Sequence, residues 1–171
     1  MTVRRLRPAS LTPPPGGSAE VPLAPLTSLQ IGGAARGLVA ARTAEHLQEA
    51  LAWARHVGAP VAILSGGSNT IVPDEGFDGL VVQPRLRGLS VRTQGHEVWL
   101  RLGAGESWDA IVAYAVAQGW QGIECLSGIP GWVGAAPVQN IGAYGQEIAQ
   151  VIASVEALDR RTGRAMTFQG A

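Results

Sequence analysis

From Ser127 to Ile148 the chain reads SGIPGWVGAAPVQNIGAYGQEI, where glycine, proline and asparagine interrupt small apolar residues too often for a long helix or strand. Glycine lets the backbone take positive φ or approach another group closely, whereas proline fixes φ and removes a donor. Gly128, Gly131, Gly134, Gly142 and Gly145 therefore admit two readings: a backbone wall that a ligand can approach, or a long tight loop around a sheet. Both require the segment to be held by its surroundings.

A second cluster, SGGSNT at 65–70, follows the apolar run Val61 to Leu64 and precedes Ile71 and Val72, where a buried strand would end. Two glycines followed by hydroxyl and amide side chains can turn several N–H groups inward as an anion nest, with Ser68, Asn69 and Thr70 adding side-chain donors. Such a nest suits a diphosphate, and the alternative is a plain hairpin turn. The usual nucleotide signatures are absent: no GxGxxG follows a strand, and GxxxxGK is impossible because all 13 Lys and Arg residues are arginines. A dinucleotide would have to be bound by another fold.

Composition bounds the rest. A formally neutral chain of 171 residues, 46% apolar, can bury a core and offers no electrostatic attraction for nucleic acid. The single cysteine, Cys125, fits a reducing compartment, and no 18-residue apolar run provides a membrane span. Arg4, Arg5 and Arg7 are followed by Pro13, Pro14, Pro15, Gly16 and Gly17 where an export signal needs an apolar stretch, so a cytoplasmic location is expected.

Residues 1–24, rich in proline, glycine and serine, are read as a disordered tail. A first strand is expected over Gly37 to Ala40. Thr43 caps a helix whose Leu47, Ala50, Leu51 and Ala54 share one face, and Gly58 ends it. With a strand at 60–64 this makes a β-α-β unit that delivers the glycine nest at its exit. A strand follows at Gly79 to Val82, then a hairpin of Leu86 to Arg92 and Glu97 to Leu102 turning at Gln94 and Gly95. Ser107 caps a second helix carrying Trp108, Ile111, Val112 and Ala115, and Gly119 closes it. A final hairpin pairs Ile152 to Asp159 with Arg164 to Phe168.

Other candidates have plain structural readings. His46, His56 and His96 lack metal-ligand spacing, and Asp74, Glu75 and Asp78 form a solvated charge run. Glu124 is read as a structural hydrogen-bonding group ahead of an acid or base. Tyr144 is read equally as a pocket wall or a packed aromatic. Trp132 borders any ligand of the glycine segment, and Gly103 and Gly105 are secondary candidates for contact.

The motifs VAILSGGSNTIVPDEGFDGLVV at 61–82, RLGAGESWDAIV at 101–112 and GIECLSGIPGWVGAAPVQNIGAYGQEI at 122–148 together resemble the N-terminal, flavin-binding part of MurB-type UDP-N-acetylenolpyruvoylglucosamine reductases, from about Pro25 onward. The resemblance implies an α+β fold: a two-lobed FAD-binding domain of the vanillyl-alcohol oxidase (PCMH) type. Its small β-α-β lobe would span 25–84 and its larger lobe 85–171. It implies non-covalent FAD, with Ser65, Gly66, Gly67, Ser68, Asn69 and Thr70 at the diphosphate. Ile129, Gly131, Gly134, Ala135, Pro137, Asn140, Gly142 and Ala143 would follow the flavin.

It further implies an oxidoreductase of peptidoglycan synthesis in which NADPH is the reductant and a UDP-sugar, UDP-N-acetylglucosamine enolpyruvate, becomes UDP-N-acetylmuramate. The family's catalytic arginine lies in a Tyr-Arg-x-Ser segment after the closing hairpin, with a serine and a glutamate further on. Here Tyr114 and Tyr144 precede Ala115 and Gly145, so the motif is absent. The expectation is a truncated reductase without its substrate domain, unable to turn over alone. The alternatives are an FAD-dependent oxidase of the same fold acting on sugars or hydroxy acids, and a non-catalytic flavin-binding fragment.

Overall fold

The computed structural model describes residues 12–170. Strands β1 (Gly17–Pro22), β2 (Ala34–Ala41), β3 (Val61–Ile63) and β4 (Phe77–Pro84) form one sheet in the order β1-β2-β4-β3. The helix α1 (Ala44–Val57) connects β2 to β3, and β4 inserts between them, parallel to both. A central parallel strand is covered on both faces, and β4 accordingly reads as an unbroken buried run from Gly79 to Gln83.

Its side chains divide by alternation. Leu80 and Val82 join Val39, Ala41, Ala50 and Ala54 under α1, while Val81 joins Leu23, Ala35, Leu64 and Val72 on the opposite face. In β2, Ala35 and Leu38 reach the same core despite their odd and even numbers. The register against β4 shifts between Ala35 and Gly37: β2 advances two residues where β4 advances three, from Phe77 to Leu80, so the extra residue lies in β4.

The local signals around α1 act as expected. Thr43 Oγ1 accepts from the His46 N–H at 3.1 Å, and Gly58, at φ 67°, donates to the Ala54 and Arg55 carbonyls. Leu47 and Trp53 border the core formed by Ala50 and Ala54.

The assignment of residues 1–24 to a disordered tail requires correction. Residues 1–11 lie outside the described residues, but Gly17 to Pro22 pairs antiparallel with β2, from Gly17 opposite Val39 to Pro22 opposite Ala34. Leu23, immediately after it, is 2% exposed and belongs to the core. GSAEVP has no apolar period of its own, so its strand character comes from the β2 edge it covers.

After β4, the strands β5 (Leu89–Gln94) and β6 (Glu97–Leu102) form a hairpin. Gln94 still pairs with Glu97, so the turn is Gly95–His96, one residue later than expected, with Gly95 at φ 62° in the first central position. The strand starts at Leu89 instead of Leu86 because 85–87 is occupied elsewhere: a Cβ on Gly103 would stand 2.4 Å from Leu86 O, and one on Gly105 2.7 Å from Arg85 Cα. These two glycines pack on backbone.

The helix α2 (Trp108–Ala117) buries Trp108, Ile111, Val112 and Ala115. Trp108 Nε1 donates to Leu126 O at 3.0 Å inside a core that also holds Ala136 and Ile148. Ser107 stands at the N-cap without a side-chain cap bond. The closing hairpin is β9 (Ser154–Leu158) with β10 (Ala165–Gln169), and Arg101 bonds both Glu156 oxygens between β6 and β9.

The β9–β10 turn reaches back to the first sheet. Arg160 donates to Val61 O at 3.0 Å, Arg55 to Arg160 O at 3.3 Å and Gln48 to Gly163 O at 3.4 Å. Edge strand β3 is thereby tied to the second half of the chain.

Two predictions follow from this packing. Thr43→Ala should lower the free energy of unfolding in a urea titration by about 1 kcal/mol, the usual cost of a lost N-cap. Glu106 accepts from Gly88 N–H at 2.7 Å and from Arg87 Nη1 at 2.9 Å, and these bonds, Gly88's first, hold its carboxyl below the ordinary 4.5. Its stabilisation is therefore present above the unfolded value and lost as pH falls through the lowered folded value. Glu106→Gln should be less stable at neutral pH by roughly a few tenths of a kcal/mol, given solvent screening, and indistinguishable from wild type in strong acid.

Candidate functional site

β3 ends at Ile63, and Leu64 N–H makes the last ladder-like bond, to Val82 O at 2.9 Å. Beyond it, among the described residues, no N–H from Ser65 to Asn69 donates to a protein acceptor, and Ser68 and Asn69 form a turn. The Ser65 hydroxyl is buried and without a partner. Buried polar groups are nearly always paired in native proteins, so the lone Ser65 hydroxyl beside these donors fits an oxygen-rich ligand.

The loop takes this shape because of Gly67. It is buried at φ 72°, and a Cβ there would stand 2.1 Å from Leu26 O and 2.8 Å from Thr27 Cα. Gly67 O accepts from Ser28 N–H at 3.1 Å, and Thr27 is itself 6% exposed. The 26–28 turn thus forms the floor under the nest. Sequence reasoning missed it because its part in the site depends on a contact nearly 40 residues away along the chain.

The two glycine clusters meet. A Cβ on Gly66 would lie 3.1 Å from Gly131 Cα and 3.6 Å from Trp132 Cδ1, and Ser68 Oγ donates to Pro130 O at 3.3 Å. Gly131, at φ 122°, faces Ser68 Oγ. Ile129 packs toward the core of α2.

Behind this contact the segment is fastened to the 104–108 turn. Trp108 N–H donates to Gly131 O, Val133 N–H to Glu106 O and Gly134 N–H to Ala104 O, at 2.9–3.0 Å. A Cβ on Gly134 would stand 2.7 Å from Ala104 Cβ. At the segment's start, Asp109 Oδ1 accepts from Gly128 N–H at 2.7 Å and from Ser127 Oγ at 3.2 Å.

Further along, the chain breaks into single turns: a 3-10 turn at Val133–Ala135, the four-residue helix α3 (Ala136–Gln139), and a minimal hairpin of β7 (Gly142–Ala143) with β8 (Gln146–Glu147). Pro137 lies in the first turn of α3, and Asn140 caps it at φ 41°. The Asn140 amide is spent inside the segment, donating to Glu147 Oε2 at 2.9 Å and accepting from Ala149 N–H at 3.2 Å. Gly142 packs on Glu147. Among the described residues, no hydrogen bond joins Ala135, Pro137, Asn140, Gly142 or Ala143 to Ser65–Thr70.

Tyr144 is 93% exposed at φ 51°, so it is not a packed aromatic. Glu124 is held below the usual carboxylate range by hydrogen bonds from its own backbone N–H and from Gly122. That state suits a structural acceptor better than a proton donor near neutrality. No group of three or more histidine, cysteine, aspartate or glutamate residues suited to a metal occurs among the described residues, and no described helix is long and apolar enough to cross a membrane.

Known proteins share both this fold and this sequence. UDP-N-acetylenolpyruvoylglucosamine reductase of Saccharopolyspora erythraea is 52% identical over 157 residues, which cover 91% of this chain and 42% of the relative. The chain spans about two fifths of the length of curated relatives that it matches. The crystal structure of the reductase (MurB) from Thermus caldophilus aligns with a TM-score of 0.68 at 30% identity, covering 88% of this chain and 51% of that one. A VAO-type flavoprotein from Myceliophthora thermophila C1 aligns with a TM-score of 0.61 at 18% identity, covering 78% of this chain and 26% of that one, a likeness of fold alone. The fold is the α+β one expected of VAO-type and PCMH flavoproteins. Residues 35–169, from β2 to the last residue of β10, match the family described as "FAD binding domain", and the chain belongs to that family.

Proposed function

We propose that the chain is the FAD-binding part of a UDP-N-acetylenolpyruvoylglucosamine reductase, which reduces UDP-N-acetylglucosamine enolpyruvate to UDP-N-acetylmuramate with NADPH in the cytoplasm during peptidoglycan synthesis. The observation that carries this reading is the 52% identity to a protein of that name across 91% of the chain. The oxidase alternative rests on likeness below 20% identity and has no comparable support.

In this reading the N–H groups of Ser65, Gly66, Gly67, Ser68, Asn69 and Thr70, with the Ser65 hydroxyl, hold the diphosphate. Ile129, Gly131, Gly134, Ala135, Pro137, Asn140, Gly142 and Ala143 form the backbone wall along the flavin, with Asn140 contributing through its main chain. Bound FAD supplies the hydride chemistry. The chain's own residues bind, orient and exclude water: small side chains let the ring approach the backbone, and fixed amides oppose the diphosphate charge without reorganising. The small lobe at 25–84, extended by β1, and the larger lobe at 85–171 would each supply one of the two glycine segments that hold the cofactor. Acid–base groups for the substrate are assigned to the part of the relatives that this chain does not span, so the chain alone binds FAD without turnover.

Two measurements check the proposal. The full-length protein should oxidise NADPH only when the enolpyruvyl UDP-sugar is present. Peroxide formed from an alcohol substrate, with no NADPH consumed, would support the oxidase instead. The purified chain should keep a visible flavin band near one per chain after free FAD is removed. Gly66→Ala, which pushes the glycine segments apart without requiring positive φ, should weaken FAD binding by about tenfold while leaving the fold intact.

A further inference from the structure

Between Ser127 and Ala143 the glycine segment carries a single aromatic side chain, Trp132. A wall made of backbone has no need of so large a group, and its surroundings show what the indole does.

The Trp132 backbone is fixed by the 104–108 turn. Trp108 N–H donates to Gly131 O at 3.0 Å, Val133 N–H donates to Glu106 O at 2.9 Å, and Trp132 pairs with Ser107 in an isolated antiparallel bridge. Its ring is fixed from the end of β4, where the guanidinium carbon of Arg85 lies 5.5 Å from the ring centre, within cation–π range. Arg85 is anchored in turn: its N–H donates to Ala41 O at 2.7 Å, and its Nη2 donates at 3.0 Å to Oε1 of buried Gln83. Gly105 packs on the Arg85 main chain, since a Cβ there would stand 2.7 Å from Arg85 Cα. The 104–108 turn, Arg85 and Trp132 thus brace one another. On its other side the indole meets the nest, with Cδ1 3.6 Å from where a Gly66 Cβ would stand.

This bracing has a cost. Arg85 Nε is buried without a hydrogen-bond partner, and an unpaired buried donor disfavours the folded state. An apolar side chain of similar length would avoid that cost. What the guanidinium adds is its flat cationic face against the indole. A position that breaks a local rule in this way is where a functional role is expected.

We propose that Trp132 is a positioning residue of the cofactor site: clamped by Arg85, its indole is a spacer that sets how far the 127–134 segment stands from Gly66 in the nest. This inference rests on the FAD reading given above. Trp132 and Arg85 act through the two glycine segments, and neither is assigned a contact with FAD.

The test uses the full-length protein with isotope-labelled tryptophan, and FAD titrations of wild type, Trp132→Leu, Arg85→Met and the double variant. The indole N–H resonance missing from Trp132→Leu identifies Trp132, and in Arg85→Met it should move before any FAD is added. Each single variant should bind FAD about tenfold more weakly. The double variant should bind no more weakly than Trp132→Leu, because the clamp then has nothing to hold. Wild-type affinity in either single variant, losses that multiply in the double variant, or an unmoved indole resonance in Arg85→Met overturns the proposal. If Trp132→Leu does not fold, Trp132→Phe replaces it, keeping a ring face for Arg85 while shortening the reach to Gly66; it must bind FAD more weakly, and wild-type affinity overturns the proposal. If Arg85→Met does not fold, Arg85→Lys, which keeps the charge but not the plane, is held to the same outcomes. A wild-type protein that binds no FAD overturns the FAD reading itself, whereas variants that bind FAD as wild type does overturn this inference alone.

Discussion

Backbone meets backbone at Gly66 and Gly131 because neither residue carries a Cβ, and the rest of the site depends on that approach. A methyl on Gly66 would stand 3.1 Å from Gly131 Cα, closer than ordinary contacts allow. On one side of the contact, Gly67 rests on the 26–28 turn, and among the described residues the amides of Ser65 to Asn69 have no protein acceptor. On the other, three backbone bonds fasten Gly131 to Gly134 onto the 104–108 turn, whose Gly105 is pressed against residues 85 and 86. The nest is thereby held from both sides by protein backbone.

The same economy explains how distant parts of the chain serve the site. β3 is an edge strand only three residues long, yet it delivers the nest. Arg160 caps its Val61 carbonyl from the far hairpin, while β4 secures its other edge. The nest thus hangs from a strand fixed on both sides, which is how a scaffold gives a loop its precision.

Local signals made much of this legible in the sequence. The α1 period, the Thr43 cap and the Gly58 stop lie within a few residues of what they determine, and the structure follows them. Both glycine clusters were recognisable because glycine at such density has few other uses. β1 was not legible: GSAEVP becomes a strand only because the β2 edge needs covering. The register shift between β2 and β4, with its extra residue between Phe77 and Leu80, was hidden because a bulge leaves no periodic trace. Within the site, the floor at 26–28 and the contact of Gly66 with Gly131 and Trp132 are tertiary facts, made of residues far apart in the chain. Asn140 was expected along the flavin, but its side-chain amide is spent bracing Glu147 and Ala149, a use its spacing did not reveal.

The central claim is that the amides of Ser65 to Thr70 receive the FAD diphosphate, and amide NMR of the chain with and without FAD tests it most directly. The account predicts that these resonances shift together on adding FAD and that their hydrogen exchange slows, while amides of α1 barely move. FAD bound at one per chain with the Ser65–Thr70 amides unmoved would contradict it and place the diphosphate elsewhere.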